Sequence, residues 1–296
     1  MTHSPLRTGL DGVTGEYAPA PADNPVARVM GQGLSGLDPV GDVARREQAS
    51  MIHHGDLLSI HSWELVTAVD GPGTRMTTFF SGCPLRCLYC HNPDTLDMRR
   101  GTMVPTRELC DRILRYKRIF NRTGGGVTFS GGEPLMQPAG LARLLKFAKE
   151  NGIHTTIDTS GFLGWRCTDE MIEDLDLVLL DIKSGVGSTY RALTGQDLAP
   201  TLEFGKRLGD AGVPIWVRFV LVPGYTDDPE NIAKVAEIAA AIPTVERVEV
   251  LPFHQMGRDK WDALGLDYQL TDVEPPTAEE TEKARAIFRD YGLEVY

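Results

Sequence analysis

Six times between residues 77 and 291, a short apolar run of strand length is followed by a longer stretch with helical periodicity. The apolar runs fall at 77–81, 126–129, 154–158, 177–182, 215–222 and 247–252. The helical patterns fall at 106–120, 138–150, 169–174, 198–211, 229–241 and 277–291. Thr106 ahead of Arg107 and Glu108, and Pro138 and Pro229 in first turns, are start signals for three of these helices. A helix between consecutive strands is the usual crossover between parallel neighbours. The runs at 177–180 and 217–222 are apolar without alternation, as in strands covered on both faces. An open doubly wound sheet and a curved partial barrel both satisfy this pattern. The expected fold is α/β, a partial (β/α)6 TIM-like barrel of parallel strands with outer helices.

In such folds ligands gather at the C-terminal ends of the strands. Each apolar run here ends in polar or glycine-rich residues: Ser81-Gly82-Cys83, Ser130-Gly131-Gly132-Glu133, Asp158-Thr159-Ser160-Gly161, Asp181-Ile182-Lys183, Pro223-Gly224-Tyr225 and Pro252-Phe253-His254. One composite pocket is expected from them. Taken singly, a Gly-Gly-Glu is usually a turn, an Asp at a strand end is a helix cap about as often as a ligand, and a lone His is more often structural.

Residues 1–55 lack periodicity and hold one aromatic, Tyr17, so they read as a flexible N-terminal extension in which 40–51 can form a short helix. Residues 56–296 read as one catalytic domain. The chain carries 30 basic against 41 acidic residues, a net charge of −11, and no basic cluster longer than Arg99-Arg100. Such a balance opposes binding to a phosphate backbone, so nucleic acid is not an expected partner. No stretch approaches the roughly 18 apolar residues of a membrane helix, and the start lacks the pattern of a signal peptide. A monomer in the cytoplasm, without a membrane partner, is the expectation.

Cys83, Cys87 and Cys90 form a CxxxCxxC spacing on the loop after the first strand of the pattern, while Cys110 and Cys167 stand apart as structural thiols. Three thiolates on one loop suit a 4Fe-4S cluster with one iron free of protein ligands. The alternative is a Cys3His zinc site that recruits His91, which would make the chain a zinc-stabilised binding scaffold. The run 262–282, with seven acids and no base, reads as a solvated surface loop.

With Tyr89 before the third cysteine, this motif resembles that of radical S-adenosylmethionine enzymes. From about residue 60 onward the chain is similar to the activases of pyruvate formate-lyase, a glycyl radical enzyme. The matching stretches are Val69-Asp70-Gly71-Pro72-Gly73-Thr74-Arg75, Cys87-Leu88-Tyr89-Cys90-His91-Asn92, Gly124-Gly125-Gly126-Val127-Thr128, Ser130-Gly131-Gly132-Glu133, Leu180-Asp181-Ile182-Lys183 and Leu251-Pro252-Phe253-His254. The resemblance implies that Cys83, Cys87 and Cys90 hold the cluster and that Tyr89 lies beside the adenine. Gly131, Gly132 and Glu133 would receive the methionyl amino group. Asp158, Asp181 and Lys183 would meet the carboxylate and ribose of S-adenosylmethionine. A monovalent cation would sit on Asp158, Asp181 and the Thr159 carbonyl, His254 near the adenosine, and Asp70, His91 and Arg218 near the partner's peptide.

The activity implied is reductive cleavage of S-adenosylmethionine and removal of a hydrogen atom from one glycine of pyruvate formate-lyase. The electron would come from a donor such as flavodoxin or ferredoxin. Many other activases insert extra cysteines between the two motifs; here residues 91–130 contain only Cys110, which favours pyruvate formate-lyase as partner. Another glycyl radical enzyme, or a small molecule, is the alternative substrate.

Overall fold

The computed structural model describes residues 33–41, 45–67 and 69–296. Its framework is one eight-stranded sheet in the order β3-β1-β2-β4-β5-β6-β7-β8. The strands are β1 (Leu57–Thr67), β2 (Arg75–Phe80), β3 (Thr102–Pro105), β4 (Gly126–Gly131), β5 (His154–Thr159), β6 (Leu177–Asp181), β7 (Ile215–Leu221) and β8 (Val245–Pro252). From β2 to β8 every pairing is parallel, which delivers the six parallel strands expected from the alternation. Strands β1 and β3 add an antiparallel edge that the pattern did not announce. Among the described residues no ladder joins β3 to β8, so the sheet is open along that side.

The helices are α1 (Arg45–His54), α2 (Thr106–Thr123), α3 (Pro138–Glu150), α4 (Asp169–Glu173), α5 (Gly187–Thr194), α6 (Ala199–Asp210), α7 (Pro229–Ala240), α8 (Arg258–Ala263) and α9 (Ala278–Asp290). Local chemistry sets their ends. Asp228 accepts from the Glu230 N–H with Pro229 in the first turn, Thr277 and Glu280 form a reciprocal capping box, and Gly124 closes α2 with φ 66°. Thr106 opens α2 in a different way from the expected cap: its hydroxyl donates to the Gly55 carbonyl at 2.7 Å and ties the helix to the turn between α1 and β1. The core runs between sheet and helices through Phe80, Phe129, Leu144, Leu145, Val178 and Phe219, all buried.

The helix expected over 40–51 begins at Arg45 and ends at His54, while 42–44 and 1–32 lie outside the described residues. The described part of the expected extension packs on the domain. Leu37 is buried, the Trp63 indole donates to the Ser35 carbonyl at 3.2 Å, and Val40 N–H donates to Met103 at 3.0 Å. Ile60 of β1 stands opposite Phe80 on one side and Thr102 on the other. The loop 81–101 therefore leaves and re-enters the sheet on either side of a single residue.

Candidate active site

Loop 81–101 carries Cys83, Cys87 and Cys90, all free thiols and all partly buried. Its two limbs are cross-tied by Gly82 N–H to Thr95 O at 2.7 Å and Cys83 N–H to Leu96 O at 3.1 Å. Two elements with no sequence signal hold it from outside. The end of α5 accepts the Arg86 and Leu88 amides on Thr194 and Leu193, and Trp261 of α8 donates to the Cys90 carbonyl at 2.9 Å. Tyr89, Leu193, Val222, Phe253, Trp261, Tyr268 and Leu270 form an apolar group against which Cys87 and Cys90 pack. The run 262–282 is thus not a solvated loop. Tyr268 and Leu270 are buried between its acids, and its last residues belong to α9. The acids keep to the surface while the apolar side chains between them cover the cysteine loop.

Burial lifts all three thiols above their usual range, Cys90 to about 12, with neighbouring Cys87 adding to the effect on Cys83 and Cys90. Such thiols wait for a strong Lewis acid to displace their protons. Among the described residues no three His, Cys, Asp or Glu side chains converge as around a single ion. Three thiols on one loop, packed against apolar side chains, suit the donor set of a cluster of several irons. Cys110 is partly buried on α2 and Cys167 is buried away from the loop, in accord with structural thiols.

The Gly-Gly-Glu loop after β4 is zipped to the cysteine loop. Gly131 pairs with Phe80 at the end of the ladder, Gly132 N–H donates to Phe80 O at 2.9 Å, and Glu133 N–H donates to Gly82 O at 2.8 Å. Gly131 has φ 112°, and a Cβ there would stand 2.3 Å from the Phe80 nitrogen, so only glycine allows the approach. Glu133 is fully buried. One carboxylate oxygen accepts from Thr159 Oγ1 at 2.7 Å and Leu135 N–H at 3.2 Å, the other from Ser160 N–H at 3.0 Å and Ser160 Oγ at 2.7 Å. Burial raises its pKa, and these donors work against the rise. Four donors fill the acceptor capacity of a carboxylate. Its side chain thereby ties the β4 loop to the end of β5, and the expectation from the motif did not include that role.

Asp181 and Lys183 pair at 2.6 Å, and the Lys183 ammonium lies 5.9 Å from the centre of the Tyr89 ring. Although burial pulls the Lys183 pKa down, Asp181, Tyr89 and Cys87 outweigh it and the group stays charged. Asp158 Oδ2 accepts from Ser130 Oγ at 2.7 Å and meets Arg218 Nη1 at 3.3 Å. Asp158 Oδ1, the Tyr89 hydroxyl and His91 Nε2 are buried polar atoms with no hydrogen-bond partner among the described residues. Buried polar atoms normally find partners, which makes these three candidate contacts for a ligand. His254 is exposed, with its ring edge-on to His91 at 4.7 Å. Burial, then His254 and Lys260, bring the His91 pKa down to about 4 and keep its imidazole neutral.

Asp70, His91, Asp158 and Arg218 meet on one cavity of about 420 Å³, which also exposes His61, Glu64, Ser130 and Lys260. Side chains from β1, β2, β4, β5 and β7 reach this space together, so the sheet is concave around it. Arg218 is the hub. It meets Asp158, Glu249 at 3.2 Å and Asp70 at 3.6 Å, and donates to the Val69 carbonyl. Buried Arg75 fixes the turn that presents Asp70, donating to Pro72 O at 3.1 Å, Thr128 Oγ1 at 2.7 Å and Thr156 Oγ1 at 2.8 Å.

His61, Glu64 and Lys260 were not legible as site residues. A register shift between Ile60 and Ser62 interrupts β1, so that His61 and Ser62 both line the cavity. Lys260 is buried on α8 with Asn92 Oδ1 at 2.9 Å and Asp94 at 3.1 Å, and Asp94 also meets His61 Nε2 at 2.9 Å.

Residues 77–236 match the radical SAM superfamily. The chain is 47% identical over 231 residues to a pyruvate formate-lyase-activating enzyme of Clostridium pasteurianum, covering 78% of this chain and 97% of that one. It is 41% identical over 238 residues to the pyruvate formate-lyase 1-activating enzyme of Escherichia coli K12, covering 80% and 97%. A radical SAM methyltransferase from Sphaerobacter thermophilus shares the fold with a TM-score of 0.56 at 16% identity, over 88% of this chain and 76% of that one. Streptococcus suis SuiB bound to its precursor peptide SuiA does so with a TM-score of 0.57 at 16% identity, over 84% and 52%. No helix among the described residues is long and apolar enough to cross a membrane.

Proposed function

The chain belongs to the radical SAM superfamily and, within it, to the pyruvate formate-lyase-activating enzymes, and from that premise we propose its reaction and the residues that serve it. It removes a hydrogen atom from the Cα of one glycine of pyruvate formate-lyase and leaves a glycyl radical there. Cys83, Cys87 and Cys90 would hold a 4Fe-4S cluster. Once bound there, the cluster would supply the electron for reductive cleavage of S-adenosylmethionine, the source of the hydrogen-abstracting radical.

The protein's own part is placement. Gly131 and Gly132 let their main chain lie against Phe80 and Gly82, which would set it beside the methionyl group, and Glu133 keeps that loop against β5. Asp158, Asp181 and the Thr159 carbonyl would take a monovalent cation, which would relieve the repulsion between two partly buried carboxylates. Tyr89, Lys183 and His254 would flank the nucleoside. Asp70, His91 and Arg218 would receive the glycine-bearing segment in the cavity, shielded from water. The electron donor would be a flavodoxin or ferredoxin, and the site of action an anaerobic cytoplasm.

The observation that carries this reading is the hydrogen bond from Glu133 N–H to Gly82 O, which sets the glycine loop directly beside the cysteine loop. The test is electron paramagnetic resonance of pyruvate formate-lyase after anaerobic incubation with the cluster-loaded protein, S-adenosylmethionine and a reductant. A glycyl radical signal is expected. Cofactor cleavage without that signal would remove the partner and leave the superfamily chemistry.

A further inference from the structure

The charged groups around the cavity are nearly all committed to one another. Asp70 and Asp158 share Arg218, while Lys260 and His61 share Asp94. Glu64 is the exception. It lines the same space and is half-buried, yet its carboxylate has no hydrogen bond or ion pair among the described residues. It faces Thr77 across the β1–β2 ladder, and Thr77 Oγ1 donates to Asp70 Oδ2 at 3.0 Å, so two carboxylates stand at one end of the cavity. Burial and the charge of Asp70 disfavour ionised Glu64 more than Lys260 and His61 favour it, and a cation brought by a ligand would add to the favourable side. The whole chain, at −11, also draws basic segments toward it.

The geometry points to Glu64 as a specificity-determining residue that pairs with a lysine or arginine side chain close to the target glycine on the partner's polypeptide. The assignment rests on the reading of this cavity as the place where that polypeptide enters. Asp70 and Arg218 are buried, whereas half-buried Glu64 lies on β1 beyond the stretch 57–60 that β3 covers, where a passing segment can reach it.

The test uses cluster-loaded protein with S-adenosylmethionine and synthetic heptapeptides centred on one glycine. Alanine fills the flanks except for one arginine, or one glutamate, moved through the positions, and binding is measured by calorimetry. At one or two positions arginine should bind about tenfold more tightly than glutamate. Glu64→Gln should shrink that preference below about twofold, and Glu64→Lys should invert it, an outcome that mere loss of fold cannot produce. An unchanged preference in Glu64→Gln, or a series with no charge preference or no binding at all, overturns the assignment. Glycyl radical formation on pyruvate formate-lyase is read with the same wild-type preparation. A radical without charge preference sinks the Glu64 role alone, and charge preference without a radical supports the Glu64 role while sinking the named partner.

Discussion

Arg218 Nη1 stands 3.3 Å from Asp158 Oδ2, and the same guanidinium reaches Glu249 and Asp70, so one buried cation from β7 serves three carboxylates from three segments. Removing it as Arg218→Met should destabilise the protein by about 3–5 kcal/mol at neutral pH, because Asp158 and Asp70 stay in the interior without a counter-ion while Glu249 keeps Arg247. Urea unfolding checks this. Arg218→Lys should recover only part of the loss, since an ammonium cannot present the same fork of donors.

Burial lifts the Asp158 carboxyl to about 6, with Asp181 and Asp70 adding to the rise and Arg218 and Ser130 opposing it. A carboxyl with a raised folded pKa favours folding fully only below its unfolded value, and that contribution disappears as pH climbs through about 6. Wild type should therefore lose about 3 kcal/mol relative to Asp158→Asn between roughly pH 4 and pH 7. Thermal unfolding of both proteins across that range reads the difference. Parallel curves would refute it.

Glu133→Ala should strand the donors of Thr159, Ser160 and Leu135 in a dry site, at a cost of about 2–4 kcal/mol. Because those donors join the glycine loop to β5, affinity for S-adenosylmethionine should fall together with stability. Calorimetric titration of the folded fraction separates the two effects.

Cys83→Ser should abolish most iron uptake and the broad absorption near about 400 nm of an iron–sulfur protein, whereas Cys167→Ala should retain both. The thiols are held above their usual range by burial, so uptake should also release protons and proceed more readily as pH rises. Iron analysis after reconstitution at pH 6.5 and 8.5 checks both statements.

Lys260→Met should loosen α8 from the cysteine loop, since Asp94 would keep only His61 as a partner. The expected loss is about 3 kcal/mol in urea unfolding, with faster bleaching of the reconstituted cluster. Lys260→Arg should restore most of the bleaching time.

The parallel strands and their functional ends were readable because strands covered on both faces are written as continuous apolar runs, such as Leu177–Asp181. Asp181 stands directly after such a run, and the cysteines, Gly131, Glu133 and Asp158 stand at the ends of the other strand-length segments. Strand β1 was not readable. Ser59, His61, Ser62 and Glu64 interleave its apolar residues, and the register shift at Ile60 breaks the period of two. Helices α5 and α8 are too short for helical periodicity to identify them, so Lys260 and Trp261 carried no signal. For Glu133 the position was legible and the hydrogen-bonding partners were not, since Thr159 and Ser160 arrive from a different strand.

The two hydrogen-bond ladders that meet at Ile60 bear on the order in which this protein is put together. Neighbouring strands lie roughly 5 Å apart, so the cysteine loop is closed across about 10 Å by main-chain bonds alone. The entropy lost in closing that loop is met by folding of the polypeptide and not by iron. Maturation can then follow a sequence of chain first and metal afterwards. An iron-starved cell would accumulate folded precursor ready for loading, in contrast to small metallodomains that exist only as long as their ion is present.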